Sequence, residues 1–162
     1  MMRLTTRKRS AALAVETAIV LPVMLFLLLM LIIGGMGVFR YQQVACLARE
    51  GARWGSVRGS AYAIDIDGPA ATQDDILQNA VLPLAVGMDT SKITMTAELV
   101  DGEYGTVTAW DSSRKGPLTL AQTTNLGVTN RIRVTVNYQW TPGVLIPGSI
   151  NMSSVSEIPM MN

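Results

Sequence analysis

The longest apolar stretch of the chain runs from residue 11 to 39, AALAVETAIVLPVMLFLLLMLIIGGMGVF, and carries one charge, Glu16. As a helix rising about 1.5 Å per residue, 17–39 covers a hydrocarbon core of about 30 Å. The preceding segment, MMRLTTRKRS, is short, polar and basic. A secretory signal would continue with only about 7–15 apolar residues and a small-residue cleavage site. Here the run is longer and ends in Arg40 without such a site. The pattern predicts a membrane anchor with its N-terminus inside.

Beyond Arg40 the period stays helical. Tyr41, Ala45, Ala48, Ala52, Gly55 and Gly59 recur at spacings of four, three, four, three and four. They predict one face of mostly small residues, against which a sheet or a neighbouring helix can pack closely. Val44, Leu47 and Trp54 widen that face, while Arg49, Glu50 and Arg53 lie mainly toward solvent, with Glu50 paired to Arg53. A loop is expected over 60–71, broken at Gly68-Pro69. Thr72-Gln73-Asp74-Asp75 then has the form of a capping box with Asp in the Glu/Gln position. A short amphipathic helix should follow, with Ile76, Leu77, Ala80, Val81 and Leu84 on one side.

The remainder alternates as strands do. Over Ile93–Val100, Ile93, Met95, Ala97 and Leu99 interleave with Thr94, Thr96 and Glu98. Asp101-Gly102 signals a hairpin and 104–110 the returning strand. A polar connection over 111–129 is long for a structureless loop and marks a candidate contact or disordered segment. Arg131–Trp140 is the clearest strand, with Ile132, Val134, Val136, Tyr138 and Trp140 on one face. Pro142-Gly143 and Pro147-Gly148 bracket 144–146 in a turn, either a sticky contact or a folded-back tip, and 150–158 offers a last, irregular strand. The expected fold is α+β: a long N-terminal helix on an antiparallel sheet of three to four strands, with one short extra helix. By segment it comprises a basic leader (1–11), a transmembrane helix (12–39), its exported continuation (40–59) and an exported α+β domain (60–162).

Charge sharpens the orientation. Arg3, Arg7, Lys8 and Arg9 supply four positive charges to a chain of formal net charge +1, so the part from Ser10 onward carries net −3. A basic end held in the cytoplasm and a mildly acidic exported part follow from that asymmetry. The exported part has no basic stripe, which argues against a nucleic-acid partner. Histidine is absent and Cys46 is the lone cysteine. That removes His-based ligands and catalytic triads as well as any intramolecular disulfide. Cys46 either pairs between subunits or sits as a small buried thiol on the helix, the second being the expectation. Asp74 and Asp75 are explained by the first turn of a helix rather than by a metal. No cofactor or metal site, and no phosphate loop or GxSxG motif, stands out.

Glu16 is the informative residue of the anchor. An acid at mid-membrane costs about 2.5–3.5 kcal/mol on insertion scales, and less near an end, where it reaches the headgroups. It is thus either an interfacial acid balanced by the basic leader or an acid awaiting a positive partner on another subunit. Pro22 removes one helical hydrogen bond and favours a bend. Together, the basic leader, Ala14-Val15-Glu16-Thr17-Ala18, Pro22 and the later Ala48-Arg49-Glu50-Gly51-Ala52-Arg53 resemble the start of TadE-like pseudopilins of the tight-adherence (Flp) pilus system.

The resemblance implies a minor pilin or pseudopilin, pilin-like in fold, that partners a membrane, other pilin subunits, Tad assembly proteins and a prepilin peptidase. It also implies cleavage between Ala11 and Ala12, where the family usually has Gly at the position of Ala11. Glu16 would then be fifth in the mature chain, meeting the new terminal amine of a neighbouring subunit. The expected location is the inner membrane, single-pass, with the C-terminal domain exported, and a surface filament as a further destination. The alternative is a membrane-anchored β-rich binding module outside any filament. An enzyme ranks last.

Overall fold

The computed structural model describes residues 5–102, 104–110, 130–143 and 147–160. The expected contact loop at 111–129 and the apolar turn tip at 144–146 lie outside them. The described elements are α1 (Thr5–Ser56), α2 (Ser60–Asp65), α3 (Gln73–Ile76), β1 (Ile93–Val100), β2 (Val107–Ala109), β3 (Arg131–Trp140) and β4 (Ile150–Pro159). Two compact units divide the chain at Phe39 and Arg40.

In the first unit, α1 continues through Pro22. None of residues 11–39 is buried. Thr17 Oγ1 donates to the Leu13 carbonyl at 2.8 Å, satisfying its hydroxyl within the helix.

The second unit is an α+β domain. Among the described residues, four strands pair antiparallel in the order β2-β1-β3-β4. In β3 the strict alternation of the sequence becomes a strict alternation of burial: Ile132, Val134, Val136, Tyr138 and Trp140 face the core. Residues 40–56 of α1 cover that face, contributing Val44, Leu47, Ala48 and Ala52. Close approach depends on glycine. A Cβ at Gly51 would stand 3.2 Å from Val81 and 3.3 Å from Val134, and one at Gly55 would come within 2.4 Å of Ile132.

The turn before β1 follows its sequence signals at the start. Thr72 and Asp75 form the reciprocal capping box. Asp75 is held below its ordinary pKa, first by the Thr72 backbone N–H and then by its hydroxyl. Ile76, Ala80 and Val81 are buried, but Leu77 is half-buried and Leu84 is exposed. The single amphipathic helix expected there is instead a four-residue α-turn, a π-turn over Leu77–Val81 and a 3₁₀ turn over Leu82–Leu84. These changes of pitch, with Pro83 inside the last turn, carry Leu84 off the inward face.

Other expectations are corrected. The segment 60–71 is not all loop, because SAYAID has no breaker and closes as α2 before Asp67 turns to φ 49°. Helix α1 stops at Ser56 rather than at Gly59. There Ser56 Oγ donates to the Arg53 carbonyl at 2.8 Å, and Arg58 N–H bonds back to Gly55. The strand expected over 104–110 is only Val107–Ala109, because Asp101 N–H bonds to the Thr106 carbonyl and pairing with β1 begins at Val107 opposite Val100. Leu99 is half-buried, and Val100 is the buried residue at the end of β1.

The last strand is regular, pairing with β3 over ten consecutive positions. Its apolar pattern looks irregular because Ser154 and Ser156 occupy half-buried positions near the sheet edge. Cys46 is exposed, not buried. The buried positions are 44, 47, 48, 51, 52, 55 and 56, and Cys46 lies two residues from both 44 and 48, about 200° around the helix from each.

One edge is closed by a side chain. Strand β2 covers only 98–100 of β1. Over the uncovered stretch the Gln73 amide takes the place of a strand, donating to the Met95 carbonyl at 3.3 Å and accepting from Ala97 N–H at 3.1 Å. Trp110 adds a backbone bond to the Ala97 carbonyl and an indole bond to the Ala71 carbonyl at 2.7 Å.

Candidate assembly helix and its flanking surface

Ala11, Ala12, Glu16 and Pro22 all sit on the exposed first part of α1. Among the described residues Glu16 has no ion-pair partner. Proline supplies no N–H at position 22, leaving the carbonyl one turn earlier, at Ala18, without its helical donor. Gly34 and Gly35 have nothing within 4 Å of an added Cβ.

The candidate packing positions divide by depth. Ala48, Ala52, Gly55 and Gly59 are buried, Ala45 is half-buried and Tyr41 is exposed. Buried residues 44, 47 and 51 show that the inward face is centred slightly to one side of the small-residue stripe. The buried members of the stripe are thus occupied within the domain, whereas Tyr41 and part of Ala45 remain outside.

The charged members of the helix are held locally. Arg53 Nε donates to Glu50 at 3.0 Å, and this bond depresses the Glu50 pKa despite some desolvation. Arg49 Nε donates to the Ala45 carbonyl at 3.2 Å. Past the helix end, the Arg58 guanidinium lies 4.2 Å over the Trp54 ring and 5.8 Å from that of Tyr62. Each of these contacts orders the helix surface or its terminus, and none leaves a reactive group poised.

Residues 11–53 match the family model described as TadE-like protein. This stretch of the chain is similar to that family. The match begins at Ala11, takes in Glu16 and Pro22, and ends at Arg53 of the AREGAR sequence. It thereby joins the exposed part of α1 to the part that carries the domain core. By length and composition, α1 is also a helix able to cross a membrane, over Ala11–Ser56. Neither a curated protein nor a solved structure matches the chain.

Two polar features escape local sequence patterns. The Gln43 side chain bridges the TadE-like helix to a distant loop, accepting from Arg40 Nη1 at 2.8 Å and donating to the Val86 carbonyl at 3.2 Å. On the outer face of the sheet, Lys92, Thr94, Asn137, Gln139 and Asn151 line an open groove of ≈ 460 Å³. Lys92 Nζ is engaged there by Thr141 Oγ1 at 3.0 Å and stands 3.8 Å from Asp89. The groove therefore presents amides and hydroxyls with a cation that is already partnered. Among the described residues, no group of three or more metal-capable side chains is assembled.

Proposed function

We propose that the protein is a minor pilin or pseudopilin of a Tad/Flp-type apparatus, inserted in the inner membrane through 12–39 and assembled through its N-terminal helix. The observation that carries this reading is the TadE-like match on a helix whose residues 11–39 leave their apolar side chains uncovered. Such a surface is unfavourable in water and suited to lipid or to neighbouring helices. The basic leader lies in the cytoplasm and the α+β domain is exported.

Assembly in this proposal moves the helix from lipid into a bundle of like subunits. A prepilin peptidase first cuts between Ala11 and Ala12. Glu16 then meets the new terminal amine of a neighbour, and the pair sets register more than it adds net stability. Pro22 lets the helix bend as it packs. The subunit works by position rather than catalysis, with other pilins and Tad assembly proteins as its partners.

Replacing Glu16 by alanine separates insertion from assembly. Glu16→Ala should fractionate with membranes at the wild-type level yet lose piliation and adhesion. Normal piliation in that variant would sink the role given to Glu16. N-terminal sequencing of the mature protein provides the companion test. A chain starting at Ala12 supports processing, whereas an intact leader favours a membrane-anchored β-rich binding module outside any filament.

A further inference from the structure

One loop of the exported domain turns apolar side chains outward beside Arg40 and Gln43, at the domain's own first helical turn. The Leu82–Leu84 turn is followed by a compact bend in which Ala85 N–H bonds to Leu82 and Met88 N–H to Ala85. Gly87 takes φ +68°, which favours glycine and lets the chain reverse there. Ala85 and Met88 are buried, while Leu84 is left 47% and Val86 73% exposed.

This loop is fastened to the first turn of the exported helix. Gln43 bonds the Val86 carbonyl and Arg40 bonds Gln43. A Cβ built on Gly87 would lie 3.7 Å from Arg40 Nη2, so the glycine rests against the guanidinium. Arg40 is joined by one peptide bond to Phe39, the last residue of the apolar run. A loop bonded to Gln43 and resting against Arg40 is thereby held at the first helical turn after the apolar run.

We infer that Leu84 and Val86 form a second lipid contact, inserting into the interfacial layer of the bilayer beside Arg40. The inference rests on the reading of 12–39 as a membrane span. The neighbouring residues of α1 along the chain suit that layer. Tyr41 is half-exposed, and Arg40 retains guanidinium donors beyond the one given to Gln43, matching lipid carbonyl and phosphate oxygens. Asp89, the nearest acid along the loop, is engaged by Ser91 and Lys92. Two apolar side chains are too small a patch for a stable protein interface, which needs on the order of 1,000 Å². At a bilayer already gripped by a helix, a few apolar groups with a basic flank suffice. Docking the loop would fix the domain's height and rotation at the membrane before assembly.

The test uses the full chain with Cys46→Ser and one new cysteine, Val86→Cys, carrying a polarity-sensitive fluorophore in phosphatidylcholine–phosphatidylglycerol vesicles. Parallel labels at Leu28→Cys and Ser153→Cys report the span and the exposed outer sheet face. The Val86 label should emit to the blue of the Ser153 label. It should be quenched by shallow nitroxide lipids, and its quenching by aqueous iodide should be several-fold weaker than at Ser153. Iodide quenching equal to that at Ser153, with the Leu28 label still quenched by deep nitroxide lipids, overturns the loop contact and leaves the span intact. Shielding of the Val86 label from both iodide and lipid overturns it in favour of a protein neighbour. Absence of lipid quenching at Leu28 as well overturns both the contact and the span on which it rests.

Discussion

Gly34 and Gly55 lie on the same helix, yet a methyl group added at each would meet opposite surroundings. At Gly34 it would find nothing within 4 Å, while at Gly55 it would run into Ile132 and Ile76. The contrast extends along α1. Residues 11–39 bury none of their side chains, whereas 40–56 place Val44, Leu47, Ala48 and Ala52 in the core. One continuous helix thus answers two demands. Its first part must suit a surrounding that the protomer does not supply, and its second must fit side chains that the protomer fixes. Composition reflects this. The first part is long and aliphatic with little need for a defined face, and the second alternates small buried positions with charged exposed ones.

The sharpest way to break the comparison is to truncate one leucine in each part. Leu47 is 1% exposed, and Leu47→Ala should destabilise the α+β domain by about 2–5 kcal/mol through lost burial and a residual cavity. That is a large fraction of a typical domain stability of about 5–15 kcal/mol. Leu28 is 54% exposed, and Leu28→Ala should leave domain melting unchanged. Near-UV circular dichroism of the full chain in detergent, following the tryptophans, reads both. Equal losses from the two variants would mean that the first part of α1 also supports the domain.

A gentler version adds a methyl instead of removing an isobutyl group. Gly55→Ala gains about 1 kcal/mol of helix propensity but forces Ile132 Cδ1 away from a 2.4 Å approach. Overpacking of this kind costs about 1–3 kcal/mol, so a net loss is expected in the same melting assay. Gly34→Ala and Gly35→Ala meet no such obstacle and should leave the domain transition where it was. A stabilised Gly55→Ala protein would show that Ile132 repacks freely and that the close approach is not required.

The two parts also differ in how they could be read beforehand. Local periodicity sufficed for the apolar run, for β1 and β3, and for the Thr72–Asp75 cap, because the determining residues lie within a few positions of one another. Glu16, Pro22 and the AREGAR sequence were visible for the same reason, and the TadE-like match covers them all. Contacts between distant residues were not visible. Gln43 meets Val86 across 43 positions, and Gln73 reaches Met95 and Ala97 across 22 and 24. Neither amide differs in sequence from an ordinary surface glutamine. Cys46 was misplaced because small size favours burial, whereas its angular position on α1 decides against it. The ends of β2 and α2 escape the hydrophobic pattern because turn closure sets them.

The smallest expected effect lies on the solvent face of the sheet, where charge rather than packing joins β3 to β4. Arg133 bonds Glu157 through Nε at 3.1 Å and Nη2 at 3.0 Å, and Arg131 reaches it at 3.2 Å. These bonds, Arg133 first and Arg131 second, hold the Glu157 carboxyl below its ordinary pKa of 4.5. A carboxyl depressed on folding adds stability above its unfolded pKa and loses that contribution as pH falls through the folded value. The groups are partly solvated, so Glu157→Gln should cost less than about 1 kcal/mol at neutral pH. The gap between the melting profiles of wild type and variant should then close on acidification below the ordinary carboxyl pKa, as the wild-type carboxylate is neutralised. High salt should narrow the same gap at neutral pH by screening the exposed Arg131 side more than the better-covered Arg133 side. A gap that persisted unchanged in both acid and salt would assign the effect of the substitution to strand packing, and the contrast between a packed inner face and an ion-paired outer face would lose its basis.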